Sequence, residues 1–273
     1  MSATRLDQSH AALLAGFLAR DPVSNLFAIG ALEQWGVCGN SGAEWWGHFN
    51  ELGGLDAVVL GEGHRVGLGY SLVVPMGEPE GVAGLVSTVR ELGGAAWMVG
   101  ESAATTVLAG ALSEIEPALA RRQLLMMLES VRPGPSVQVR RAVLGDLPWI
   151  SEAARIVNEE DLGPGVIEFD GLTFTRKIEA SIAAGAEWLA PGRTYRAKVG
   201  TVCREGAQLG GVWVPPERRG RGIGQYATRA LCSHLLEHVP RITLHVDETN
   251  TRAVRCYQAV GFQAVRDFQL WVR

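Results

Sequence analysis

Lysine is all but missing from this chain: of its 25 basic residues only Lys177 and Lys198 are lysines, and neither follows a glycine-rich turn. A phosphate loop of the Gly-Lys-Ser/Thr kind needs a lysine in that place, which argues against a nucleoside triphosphatase. Cysteine is scarce too. Cys38, Cys203, Cys232 and Cys256 stand far apart, with no Cys-x-x-Cys and no paired histidine spacing, so neither a zinc site nor a disulfide scaffold is indicated and no metal is expected. Nothing reads as secretory. The apolar stretch 11–18 is too short for a membrane span and is flanked by Asp7, Arg20 and Asp21, as suits a core-facing helix of a soluble cytoplasmic protein. Charge of one sign is also lacking: a net −4 gives no bulk attraction to nucleic acid or to an anionic membrane.

What is present is enough apolar residue for two cores. With 273 residues, 47% of them hydrophobic, the chain can form two packed domains. A stiff link, Arg132-Pro133-Gly134-Pro135-Ser136, follows a strand at 123–128 and divides the chain into 1–132 and 136–273. The second part opens with a strand at 137–142 and helices at 146–158 and 172–184. Strands at 187–190, 194–203 and 208–214 then meander through turns at Pro191-Gly192 and Glu205-Gly206. The first part has a similar order. Two helical stretches precede strands at 45–49, 56–60 and 66–74, then a helix at 81–92, a strand at 95–99, a helix at 103–112 and the strand at 123–128. A degenerate repeat is the reading.

The most informative segment is Val212-Trp213-Val214-Pro215-Pro216-Glu217-Arg218-Arg219-Gly220-Arg221-Gly222-Ile223-Gly224. A strand empties into an arginine and glycine loop and then a helix, whose packing face is Ile223, Ala227, Ala230, Leu231 and Leu235. Glycines let backbone N–H groups turn toward an anion, and the helix start adds its dipole, so the loop reads as a seat for a pyrophosphate. A dinucleotide fingerprint fits poorly, because its third glycine falls on Gln225. A solvated loop, or one touching RNA, is the bland alternative. Further on, 241–246 alternates as a strand, and Asn250 opens a helix with Ala253, Val254, Tyr257 and Val260 on its buried face. Gly261 caps that helix before Phe262.

These two segments resemble the GCN5-related N-acetyltransferases. The family's Gln/Arg-x-x-Gly-x-Gly/Ala loop is matched by Arg219, Gly222 and Gly224, and its Asn-x-x-Ala-x-x-x-Tyr before Gly-Phe by Asn250, Ala253, Tyr257, Gly261 and Phe262. The resemblance covers roughly 136–273, and the whole chain is similar to two-part bacterial members. It implies an α/β (α+β) fold, a mixed central sheet flanked by helices, with a degenerate copy of that fold in the first half. There Pro75-Met76-Gly77-Glu78-Pro79-Glu80 puts acids where the second half has arginines, which is expected to bar acetyl-CoA from binding in the same way.

The resemblance further implies acetyl-CoA as donor and a primary amine of a small molecule, amino acid or peptide as acceptor, with no nucleic acid or membrane partner and a homodimer left open. The pyrophosphate would lie on the amides of Gly220, Arg221, Gly222, Ile223 and Gly224, with charge from Arg219 and Arg221. The pantetheine would run along Val212 and Val214, where Gly210-Gly211 tolerates a bulge. Asn250 belongs to the same donor site. Val212 N–H would face the thioester carbonyl, and Tyr257 would protonate the departing thiolate. For the base, the residues leave Glu160 and Glu159 as first candidates, Glu168 and His245 as lesser ones, and water as a relay. A non-catalytic acyl-CoA sensor and an acyltransferase using a longer donor are the rival readings.

Overall fold

The computed structural model describes residues 3–38, 42–63, 69–112, 117–163 and 171–273. The chain divides into two compact units, one of residues 1–125 and 265–273, the other of residues 126–264. The last nine residues thus belong with the first part of the chain.

Unit 1 carries strands β1 (Thr4–Arg5), β2 (Ala43–Phe49), β3 (Leu55–Glu62), β4 (Tyr70–Gly77) and β5 (Ala95–Glu101). Its helices are α1 (Ala11–Leu18), α2 (Leu26–Trp35), α3 (Pro79–Ala83), α4 (Val86–Glu91) and α5 (Ser102–Ala111). Strand β6 (Leu119–Leu128) crosses the division. β1 to β4 pair antiparallel in sequence order, and β4 then lies parallel to β5. Ala57, Val58, Val59 and Leu60 in the middle of β3 are fully buried, because helices cover both faces of a central strand. The helix expected at 81–92 is two short helices, α3 and α4, since Gly84 falls between them.

Unit 2 repeats the plan. Its strands are β7 (Arg140–Arg141), β8 (Glu187–Leu189), β9 (Arg196–Cys203), β10 (Gly206–Trp213) and β11 (Ile242–Asp247). Its helices are α6 (Leu147–Leu162), α7 (Gly171–Ala183), α8 (Ile223–Leu235) and α9 (Thr251–Val260). β7 to β10 pair antiparallel in order and β10 lies parallel to β11, the same order and sense as β1 to β5. The sheets are mixed and flanked by helices, as the sequence predicts. The strand expected at 137–142 shortens to Arg140–Arg141.

The final strand, β12 (Gln263–Val272), runs antiparallel to β5, from Phe268 opposite Glu101 to Val272 opposite Trp97. The Pro-Gly-Pro link is clamped within unit 2. The buried Arg229 of α8 donates to the carbonyls of Arg132, Pro135 and Ala259, which satisfies its charge with backbone dipoles. Among the described residues no helix is long and apolar enough to cross a membrane.

Candidate active site

The site begins where two parallel strands part. β10 and β11 pair at Ala207–Ile242, Gln208–Thr243 and Leu209–Leu244, and no further. On its other edge β10 stays with β9 but takes an extra residue between Gly210, opposite Lys198, and Trp213, opposite Arg196. Gly211 sits in that bulge with φ +55°, a conformation that favours glycine, and a Cβ added there would meet Arg196 Nη1 at 3.0 Å.

Beneath the bulge lies a buried ion pair. Arg196 Nε and Nη2 each donate to the Glu187 carboxylate at 2.9 Å, and Ser181 Oγ donates to the same carboxylate at 3.0 Å. Glu187 is fully buried and Arg196 nearly so, so three directed hydrogen bonds offset the cost of taking both charges out of water. On the facing helix α6, Trp149 tilts against Trp213 at 5.8 Å, and Ala153 and Val157 pack on Trp213.

Past Trp213 the chain makes a 3-10 turn at Pro216–Arg218 and enters the glycine loop. Gly220 (φ +77°) and Gly222 (φ +76°) both lie in the left-handed region, and Gly222 is the N-cap of α8 with no side-chain cap. The first backbone bond of the helix is Tyr226 N–H to Gly222 O at 2.9 Å, so the N–H groups of Ile223, Gly224 and Gln225 have no acceptor within the helix. Gly224 has two neighbours at ordinary contact range. A Cβ there would lie 3.5 Å from Val214 Cγ2 and 3.7 Å from Cys256 Sγ, which brings the loop against α9.

Among the expected residues, Arg219 and Glu160 meet. Arg219 Nε donates to the Val214 carbonyl at 2.9 Å, and its Nη2 reaches both Glu160 carboxylate oxygens, at 2.9 and 2.7 Å. Glu159 is engaged elsewhere, by Arg155 one turn earlier on α6. Arg218 and Arg221 are exposed. Asn250 caps α9, its side-chain oxygen accepting from Ala253 N–H at 3.1 Å. Gly261 ends that helix with φ +127°.

Tyr257 is buried on α9, its ring edge-on to Phe262 at 5.8 Å. Burial above all, then the nearby Cys256, Asp161 and Cys232, pushes its phenol well above the ordinary tyrosine range, so it stays protonated. Burial likewise raises the Cys256 thiol to about 11, which makes it inert, in keeping with a packing role. His245 on β11 is held down to about 4 by burial and is neutral near pH 7. Glu168 lies outside the described residues. The sequence did not reveal the Arg196–Glu187 pair under the bulge; Gly210-Gly211 was its only trace.

Unit 1 treats the equivalent place differently. The β4–β5 ladder also ends, at Val73–Met98, but at the end of β4 Pro75 has no N–H to offer, and a Cβ on Gly100 of β5 would come within 2.7 Å of the Pro75 carbonyl, which narrows the gap there. Glu78 and Glu80 are exposed in the loop that follows.

Residues 155–262 match the model of the Acetyltransferase (GNAT) family. Among curated proteins, the mycothiol acetyltransferase of Thermobispora bispora is 46% identical over 52 residues, 19% of this chain and 18% of that protein. The peptidyl-lysine N-acetyltransferase YjaB of Escherichia coli is 35% identical over 65 residues, 24% of this chain and 42% of that protein. The matched stretches therefore span less than half the length of either relative. A solved structure described as a tandem GNAT protein from the clavulanic acid biosynthesis pathway superposes with a TM-score of 0.54 at 12% identity, covering 100% of this chain and 98% of that one. That likeness concerns the fold alone.

Proposed function

With a GNAT acetyltransferase domain at residues 155–262 as premise, we propose that this protein transfers an acetyl group from acetyl-CoA to a primary amine by direct attack on the thioester. The parting of β10 from β11 beyond Leu209 carries this reading. Ala207 N–H donates to the Arg241 carbonyl beside β11, so alternation turns the Leu209 amide the same way. The extra residue before Trp213 shifts the alternation by one, which directs the N–H groups of Val212 and Val214 to the side that β11 leaves. Val214 would bond the pantetheine. Val212 would stabilise the oxyanion on the thioester carbonyl, worth about 3 kcal/mol for one well-aimed donor.

The pyrophosphate would rest on the amides from Gly220 to Gly224 at the start of α8. Arg221, exposed in the loop, supplies charge to it, whereas the Arg219 guanidinium shapes the loop through Val214 and Glu160. The amine nitrogen bonds to the carbonyl carbon, the C–S bond breaks, and the thiolate takes the Tyr257 proton. Burial pushes the ionisation of this phenol up, so the proton is in place at every working pH, and the same burial makes the phenol a weaker acid than a free tyrosine. Both oxygens of Glu160 face a guanidinium, so Glu160 is assigned as a positioning residue, with the amine proton leaving through water. Glu159 pairs with Arg155 on the exposed side of α6 and is given no part in the reaction, and Asn250 acts only through the cap of α9.

The acceptor is assigned only as a primary amine of a small molecule, amino acid or peptide, since the two relatives are named for different acceptors. Calorimetry of acetyl-CoA on the intact protein tests the donor site, with Arg218→Glu plus Arg221→Glu as the variant; both side chains are exposed, so the fold should survive. Micromolar binding lost in the variant supports the site. Absence of binding in the parent protein overturns it.

A further inference from the structure

The end of α8 farthest from the glycine loop carries three ligating side chains that acetyl transfer does not use. His234 lies in the last turn of α8, and Glu237 and His238 follow where the chain folds back, Leu236 N–H bonding to Cys232 O and His238 N–H to Leu235 O. The spacing i, i+3, i+4 gathers all three on one side of the turn. One donor atom from each lies within 4.8 Å of the others, with Glu237 Oε2 at 3.8 Å from His234 Nδ1, and the two imidazoles meet edge-on at 5.3 Å. The buried Trp188 of β8 tilts against the His234 ring at 5.3 Å and fixes its plane.

Two physical arguments favour a cation here. The carboxyl end of a helix is the negative end of its dipole and presents unpaired carbonyls. Two imidazoles and a carboxylate form a donor set suited to zinc, copper or nickel rather than to magnesium or calcium. A tetrahedral zinc ion with bonds near 2.0–2.2 Å keeps its donors about 3.4 Å apart. Glu237 and His238 are exposed, so side-chain rotation can close the remaining distance.

We propose that His234, Glu237 and His238 form a site for a divalent transition-metal ion, zinc foremost, with a fourth position open to water. The expectation of no paired histidine spacing is corrected by these residues. That expectation was tied to the cysteines, whereas His234-Leu235-Leu236-Glu237-His238 places two histidines four apart on a helix end.

Cobalt(II) titration of the intact protein tests this, followed by visible d–d absorption, with zinc calorimetry beside it. Cys38, an exposed thiol, is replaced by serine throughout to remove a competing ligand. One equivalent should bind with micromolar affinity and the absorption of a four-coordinate ion. His234→Asn plus His238→Asn should abolish it, and Glu237→Gln should weaken it about tenfold, with unchanged far-UV dichroism in each variant. Copper(II) should quench part of the tryptophan emission in the parent and not in the double variant. Equal stoichiometry and affinity in parent and double variant, or no binding in the parent, would overturn the proposal.

Discussion

The Arg219 guanidinium holds both carboxylate oxygens of Glu160, 59 residues away in sequence, while its Nε holds the carbonyl of Val214 at the end of β10. A helix end, a strand end and the glycine loop are thereby tied at one point. The pair is partly exposed, so its worth to stability is up to about 1 kcal/mol. Arg219→Ala and Glu160→Gln should each raise the KM for acetyl-CoA several-fold, and the double variant should be no worse than either alone. The pH dependence of kcat/KM separates the two roles: Glu160→Gln leaves its acidic limb in place if Glu160 only positions Arg219, and removes the limb if Glu160 takes the proton.

Tyr257→Phe should separate chemistry from packing. Among the described residues no hydrogen bond to the Tyr257 hydroxyl is found, so its removal leaves no partner stranded. Stability should change by no more than about 0.5 kcal/mol. In steady-state assays kcat should fall by about 100-fold with little change in the KM for acetyl-CoA. An unchanged kcat would refute the acid role.

Arg196→Leu should be among the most damaging substitutions in unit 2. It leaves the fully buried Glu187 carboxylate with Ser181 alone and removes the group that lies under Gly211. Breaking a buried pair on one side costs about 3–5 kcal/mol. Urea denaturation should show that loss, and Arg196→Leu with Glu187→Gln should recover part of it.

His245 gives stability a dependence on mildly acidic pH. Burial lowers its folded-state value from 6.5 to about 4. The folded chain therefore holds the neutral ring where the unfolded chain is already protonated. The contribution is complete above pH 6.5 and is lost as pH falls toward 4, roughly 3 kcal/mol in all. Urea midpoints at pH 7.5 and pH 5 should differ less in His245→Asn than in the parent; an identical pH response in both would refute this.

Much of unit 2 was legible because its signals are local. The alternation at 241–246, the Asn250 cap and the helical face of Ile223, Ala227, Leu231 and Leu235 each depend on residues within a few turns, and β11, α9 and α8 stand within two residues of the expected places. The loop glycines free the backbone to turn, and of the three Gly220 and Gly222 take up left-handed conformations whereas Gly224 does not. What could not be read was pairing across sequence. The sequence offers Arg219 to a ligand and Glu160 to a proton, and nothing local shows that one occupies the other. Arg196 and Glu187 lie in strands where a buried charge breaks the apolar pattern without naming its partner. The role of residues 265–273 is another long-range matter, since a strand's own alternation does not say which neighbour it joins.

That strand bears on how the chain comes off the ribosome. Residues 126–264 form an uninterrupted stretch and can begin to pack as soon as they emerge. Unit 1, although made almost wholly from the first 125 residues, waits for 265–273 to supply the partner of β5. Its loop closure spans more than half the protein, the kind of non-local contact that forms late. The earlier segment is thus completed only when 265–273 join it, and until then β5 presents an edge that must be kept from neighbouring chains.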